Sequence, residues 1–182
     1  MSGACALEAE LLNSERIGER FGSCGIEVLQ HGPTVRRSSL YSLDGEVRIC
    51  RSYAVVQFLE HESAEVADAH AKILAGDSIG ATFKGAGWQI RKQTRYVGST
   101  KLPQTGHPVA ELMHLAGDES LALHAYRLVL EKTARSLQYA TIVEMHHPDY
   151  LAENELQKLY DWRDARQLRP ETIAALLDLV WT

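Results

Sequence analysis

The sequence predicts an α+β domain in which helices flank an antiparallel β-sheet, and three observations predict it. Residues 34–60 read as two long strands folded back on each other around Leu43-Asp44-Gly45-Glu46. An Asp-Gly pair between β-prone runs is a strong hairpin signal, because glycine accepts the positive φ of a tight turn. Residues 121–131 and 137–145 form a second extended pair, with its turn within 133–136. Around these pairs lie segments whose apolar residues recur at helical spacing, and strands in antiparallel pairs with helices set apart from them define the class.

In chain order, Leu7, Leu11, Leu12, Ile17 and Phe21 suggest a short helix and then a second one, the latter capped by Asn13 or Ser14 and ended by Gly22 and Gly25. Residues 26–30 are a short strand, and His31-Gly32-Pro33 is a turn that leads into the first hairpin. Residues 63–74 carry Val66, Ala69, Ile73 and Leu74 at helical spacing, with Ser63 as cap and Gly76 as stop. Residues 88–97 alternate as a strand, and residues 98–117 read as irregular apart from an apolar segment at 109–115. In the second pair His124, Tyr126, Leu128 and Leu130 share one parity and make the better core face. Residues 153–160 and 170–181 read as helices, the latter opened by Pro170 and striped by Ile173, Leu176, Leu177 and Val180. One domain spanning 1–182 is expected, with 151–182 as a C-terminal helical extension.

Composition narrows the partners. With 45% apolar and 24% charged residues over 182 positions, the chain has the make-up of an ordinary globular domain. A formal charge of -5 argues against a general nucleic-acid surface, which concentrates Lys and Arg to meet phosphates. No run approaches the length of apolar chain that spans a bilayer, and no signal peptide is evident. Cys5, Cys24 and Cys50 have neither metal-knuckle nor redox spacing, so a cytoplasmic location fits. Cys50 reads as a small core side chain, and Trp88, Tyr96, Tyr126 and Tyr139 as packing residues. The sequence leaves homo-oligomerisation open.

Several motifs occur in an order that resembles the chorismate lyase family and, more distantly, the effector-binding domain of GntR-type regulators. They are Ser14-Glu15-Arg16-Ile17-Gly18-Glu19-Arg20-Phe21, then Arg37 ahead of Asp44-Gly45, then Arg51-Ser52 on the returning strand. They continue with Leu74-Ala75-Gly76-Asp77-Ser78-Ile79-Gly80 and end with Glu144-Met145-His146-His147-Pro148. The resemblance implies a chorismate-lyase-like fold and a lyase without cofactor or metal that splits chorismate into 4-hydroxybenzoate and pyruvate. It implies that Arg37 holds the aromatic carboxylate, that Glu144 meets the hydroxyl end, and that Arg51 and the backbone at Ile79 line the ligand. The family's longer flap before the hairpin is here only His31-Gly32-Pro33-Thr34. The alternative expectation is therefore a noncatalytic module that binds a small aromatic or carboxylate ligand.

Read from the residues, Arg37 can grip a carboxylate through two charge-assisted hydrogen bonds, and Arg36 has the opposite parity, so a regular strand cannot aim both into one cavity. Glu144 closes a strongly strand-forming run, where burial would raise its pKa and a nearby cation would lower it. His146 and His147 are adjacent and point to opposite faces. His114 and His124 could join either one only through tertiary folding, so no metal site is expected.

Overall fold

The computed structural model describes residues 11–60, 64–101, 107–116 and 119–160, together with helical positions at Glu171, Thr172, Ala175 and Asp178. The expected leading helix at Leu7, the Ser63 cap, Cys5 and the stripe from Ile173 to Val180 lie outside the described residues.

The predicted architecture is present: a six-stranded antiparallel sheet with helices packed against it. Helix α1 spans Asn13–Phe21, and strands β1, β2 and β3 span Gly25–His31, Val35–Asp44 and Val47–Phe58. Helices α2 and α3 span Ala64–Leu74 and Ile79–Gly85, followed by β4 at Gln89–Lys101 and α4 at Pro108–Met113. Strands β5 and β6 span Ser120–Lys132 and Arg135–His146, and α5 spans Glu153–Leu159. The sheet order is β1-β2-β3-β6-β5-β4, so the second hairpin inserts between the first hairpin and β4.

The first hairpin closes one residue later than expected. Asp44 pairs with Val47, and Gly45, at φ +61°, takes the first central position of the turn, where glycine is free of Cβ strain. The second hairpin closes at Lys132 and Arg135 and puts Thr133 at φ +56°. A β-branched residue is strained there. Thr133→Asn should raise the unfolding free energy by about 0.5–1 kcal/mol, since asparagine tolerates the left-handed region. Urea denaturation would register this as a higher midpoint at unchanged slope.

Two further boundaries differ from the sequence reading, and one helix was not assigned by it. Leu12, not Asn13 or Ser14, precedes the first turn of α1; its N–H donates to the Glu15 carboxylate at 2.6 Å, and Asn13 turns inward. The Gly-containing stretch after Gly76 folds as α3, with the Ser78 hydroxyl accepting from Ala81 N–H. Strand β4 runs on through Gly98 to Lys101, because the Tyr96 ring covers Gly98 so closely that a Cβ there would lie 2.3 Å from its hydroxyl.

Both sheet faces are buried, not one. On the first face Val56, Leu128, Leu130 and Ile142 pack with Val66 and Ile73 of α2 and Phe83 of α3. On the second, Tyr53, Val55, Leu123, Ala125 and Val143 pack with Val109 and Met113 of α4. Each fully buried aliphatic side chain contributes about 1.5–3 kcal/mol. Strand β5 therefore reads as a nearly continuous apolar run, as expected of a central strand covered on both sides. Cys50 lies in the second core, where burial pushes its thiol up to about 12.

Candidate functional site

Register across the sheet decides which side chains share the first face. Ser38 pairs with Ala54, Ala54 with Glu144, and Glu144 with His124. One step along, Arg36 pairs with Val56, Val56 with Ile142, and Ile142 with Tyr126. Side chains of one parity project to one side of a sheet, so Arg36, Tyr126, Glu144 and His124 look the same way. Leu12 and Asn13 at the start of α1, and Ser78, Ile79 and Gly80 at the start of α3, lie over this row and enclose a cavity of about 100 Å³. That is the scale of a single-ring ligand, given that an engineered cavity of about 150 Å³ holds benzene.

Apolar residues make most of the wall, and three charged side chains interrupt it: Arg36, Lys92 and Glu144. Arg36 is 2% exposed. Its Nη1 donates to the carbonyls of Ile73 at 3.0 Å and Asp77 at 2.8 Å, at the C-terminal end of α2. Its Nε has no partner among the described residues. Burial lowers its pKa, and nearby Tyr139 and Asp77 oppose that shift.

At the other end, Glu144 Oε1 accepts from the Tyr126 hydroxyl at 3.0 Å, and Oε2 lies 3.8 Å from Lys92 Nζ. Burial by itself would push the Glu144 carboxyl up. The Lys92 ammonium, His146, the hydrogen bond from Tyr126 and the nearby Asn13 amide outweigh it and hold Glu144 below the ordinary carboxylate range. Lys92 feels the mirror image: burial disfavours its charge, Glu144 restores it, and the net shift is upward. The ammonium also sits 4.9 Å from the Tyr126 ring centre and donates to the Tyr160 hydroxyl at 3.4 Å. Both groups are thus ionised at neutral pH.

Beside this pair lie two fully buried imidazoles. His124 stacks on Tyr160 with ring centres 4.1 Å apart, and its Nε2 lies 3.1 Å from Thr94 Oγ1. Burial, reinforced by Lys92, holds His124 well below its usual range, and burial takes His146 down to about 4 against the pull of Glu144. The ligating atoms of His124, Glu144 and His146 lie within 4.8 Å of one another.

The residues expected at a ligand site separate accordingly. Ile79 and Glu144 line the cavity. Arg37 does not: it pairs with Val55 on the second face, and its guanidinium bonds the Gln30 side chain. Arg51 occupies a bulge in β3, donates to Ser42 Oγ at 2.8 Å, lies 4.0 Å over the Phe21 ring and pairs with Asp149 at 3.7 Å, so it braces the chain after β6. His147, as expected, parts from His146 and accepts from Asp149 N–H.

The lyase reading is therefore corrected. It required Arg37 and Glu144 to meet across one cavity, and strand parity puts them on opposite sides of the sheet. The carboxylate belongs instead to a cluster with Lys92, His124 and His146. The sequence reading chose Arg37 over Arg36 and missed Lys92 and this cluster. Lys92 had a signal, since it continues the parity of Trp88 and Ile90. Glu144 and His146 had one too, being two apart on a strand.

No family model and no curated protein matches the chain. Among solved structures, the chain is similar to the crystal structure of the transcriptional regulator (GntR family) from Enterococcus faecalis V583, at 12% identity over 71% of this chain and 93% of that chain, with a TM-score of 0.31. A likeness this distant fixes neither family nor function, and it does not distinguish a chorismate lyase assignment. Among the described residues no helix is long and apolar enough to cross a membrane.

Proposed function

We propose that the cavity on the first face binds a small carboxylate, aromatic or of similar size, and releases it unchanged. The observation that carries this reading is Arg36: a buried guanidinium in an apolar wall whose Nε donor has no partner among the described residues. A buried donor left unsatisfied costs about 1–3 kcal/mol, and a ligand carboxylate reaching it would recover that cost through a charge-assisted bond. Two cations face one carboxylate in the cavity wall, so the local charge favours an anion although the whole chain is acidic. The apolar remainder suits a ring or a short hydrocarbon body.

Thermal unfolding with benzoate, 4-hydroxybenzoate and short-chain carboxylates, each beside its methyl ester, tests the reading. Acids at a hundredfold excess over Kd should stabilise by about 2.7 kcal/mol, and esters should not. For a chain of this size that is a rise in Tm of roughly 5–10 °C. Chromatography of the released ligand should return it chemically intact. Equal shifts with acids and esters, or none with any acid, would remove the basis for an Arg36-anchored carboxylate.

A further inference from the structure

The His124, Glu144 and His146 cluster has a property that the ligand reading does not use. His124 Nδ1, Glu144 Oε2 and His146 Nε2 are all buried, and none has a hydrogen-bond partner among the described residues. Oε2 lies 4.0 Å from the first nitrogen and 3.9 Å from the second. Orphaned polar atoms are costly in an interior, and three converging on one point call for a shared occupant.

We propose that this cluster binds a divalent transition metal of the Zn²⁺ class through His124 Nδ1, Glu144 Oε2 and His146 Nε2. The donor set is two imidazoles and a carboxylate, which suits such ions and leaves coordination positions open. Metal bonds of about 2.0–2.1 Å put tetrahedral ligand atoms about 3.3–3.4 Å apart, so the two contacts to Oε2 must each shorten by roughly half an ångström, and the two imidazole nitrogens, within 4.8 Å of each other, must close to the same spacing. Neighbouring bonds prepare the ligands. With His124 Nε2–H donating to Thr94 Oγ1, 3.1 Å away, the Nδ1 lone pair is free to ligate. Tyr126 anchors Glu144 through Oε1 and leaves Oε2 unbonded. The backbone contributes rigidity: Glu144 and His146 are two apart on β6, and His124 sits directly across on β5.

Lys92 is the group that opposes the ion. Its Nζ lies 3.8 Å from the same Oε2, so a metal must displace the ammonium from the carboxylate. The site is thereby tuned to modest affinity, and removing the lysine charge should tighten it. The assignment is independent of the carboxylate ligand, because its test uses the metal alone.

Isothermal titration of chelator-treated protein with Zn²⁺, paired with Co²⁺ visible spectra, provides the test. One equivalent should bind, with Co²⁺ d–d bands of a low-symmetry site. His146→Ala and Glu144→Gln should each weaken binding by at least a hundredfold, and Lys92→Met should strengthen it at least tenfold. His114→Ala, at an exposed histidine outside the cluster, should change nothing. Circular dichroism accompanies each variant, and Lys92→Met keeps the test decisive if the ligand variants unfold, because a merely structural cluster would not gain metal affinity from it. No stoichiometric uptake by the wild type, binding unchanged in folded His146→Ala, or unchanged affinity in Lys92→Met would overturn the assignment.

Discussion

Glu144→Ala is expected to lower the unfolding free energy by about 3–5 kcal/mol, the usual cost of leaving one member of a buried ion pair alone. The Glu144 side chain is 7% exposed and that of Lys92 11%, with 3.8 Å between Oε2 and Nζ. Removing the carboxylate strands an ammonium that, among the described residues, only the Tyr160 hydroxyl and two aromatic faces then support. The reverse change, Lys92→Met, strands the carboxylate with Tyr126 as its single hydrogen-bond donor among the described residues. The double variant Glu144→Leu with Lys92→Met removes both charges and should recover most of the loss, since paired apolar replacement of a buried ion pair is often neutral. Urea denaturation of the wild type, Glu144→Leu, Lys92→Met and the double variant forms a double-mutant cycle, and the coupling should exceed about 1.5 kcal/mol. Strictly additive losses would show that the two charges do not support each other.

The second large effect is on pH. In metal-free protein, unfolding free energy should fall as pH drops from about 6.5 toward 4, by about 3 kcal/mol from His146 alone. The sign follows from burial. His146 is held neutral down to about 4 in the folded state, whereas in the unfolded chain it takes up its proton near the ordinary histidine value of 6.5. The unfolded state therefore binds more protons in that window. The contribution is complete above 6.5 and lost as pH falls toward the folded value. His124, also buried and pushed down, acts in the same direction. Glu144 adds to it at lower pH, because its depressed carboxyl contributes stability above the ordinary carboxylate range and loses it on further acidification. Lys92 and Arg16 reinforce the effect on both imidazoles. Denaturant titrations with chelator at pH 7.5, 6.5, 5.5 and 4.5 should show the decline, and His146→Phe should flatten part of it. A level profile over this range would mean that water reaches the imidazoles.

Local signals carried the fold. Asp44-Gly45 marked the first hairpin because only one residue type takes its positive φ without strain, although the turn itself lies one residue further on. Alternating parity marked β5, and the strand-forming run that leads to Glu144 marked β6. Features that depend on tertiary cover were illegible: Gly98 reads as a strand breaker until the Tyr96 ring is seen over it, and α3 is too short and too glycine-rich to announce itself.

The site was less legible than the fold for a related reason. In Val35-Arg36-Arg37-Ser38-Ser39-Leu40 neither parity is purely apolar, so the sequence does not say which arginine faces inward. Helix α2 makes that choice by presenting the Ile73 carbonyl, and the adjoining Asp77 carbonyl helps, where only Arg36 reaches. Likewise nothing local says that His124 stands opposite Glu144. That pairing follows from the register set by the second hairpin and its bulge near Leu128.

The central claim, that the face bearing Arg36 and not the face bearing Arg37 receives a small carboxylate, is tested most directly by calorimetric titration of Arg36→Lys and Arg37→Ala. The carboxylate used is whichever one most stabilises the wild type. Arg36→Lys keeps a cation for the α2 carbonyls but loses Nε, and should weaken binding at least tenfold, whereas Arg37→Ala should bind as the wild type does. Loss of binding in Arg37→Ala with full affinity in Arg36→Lys would contradict it.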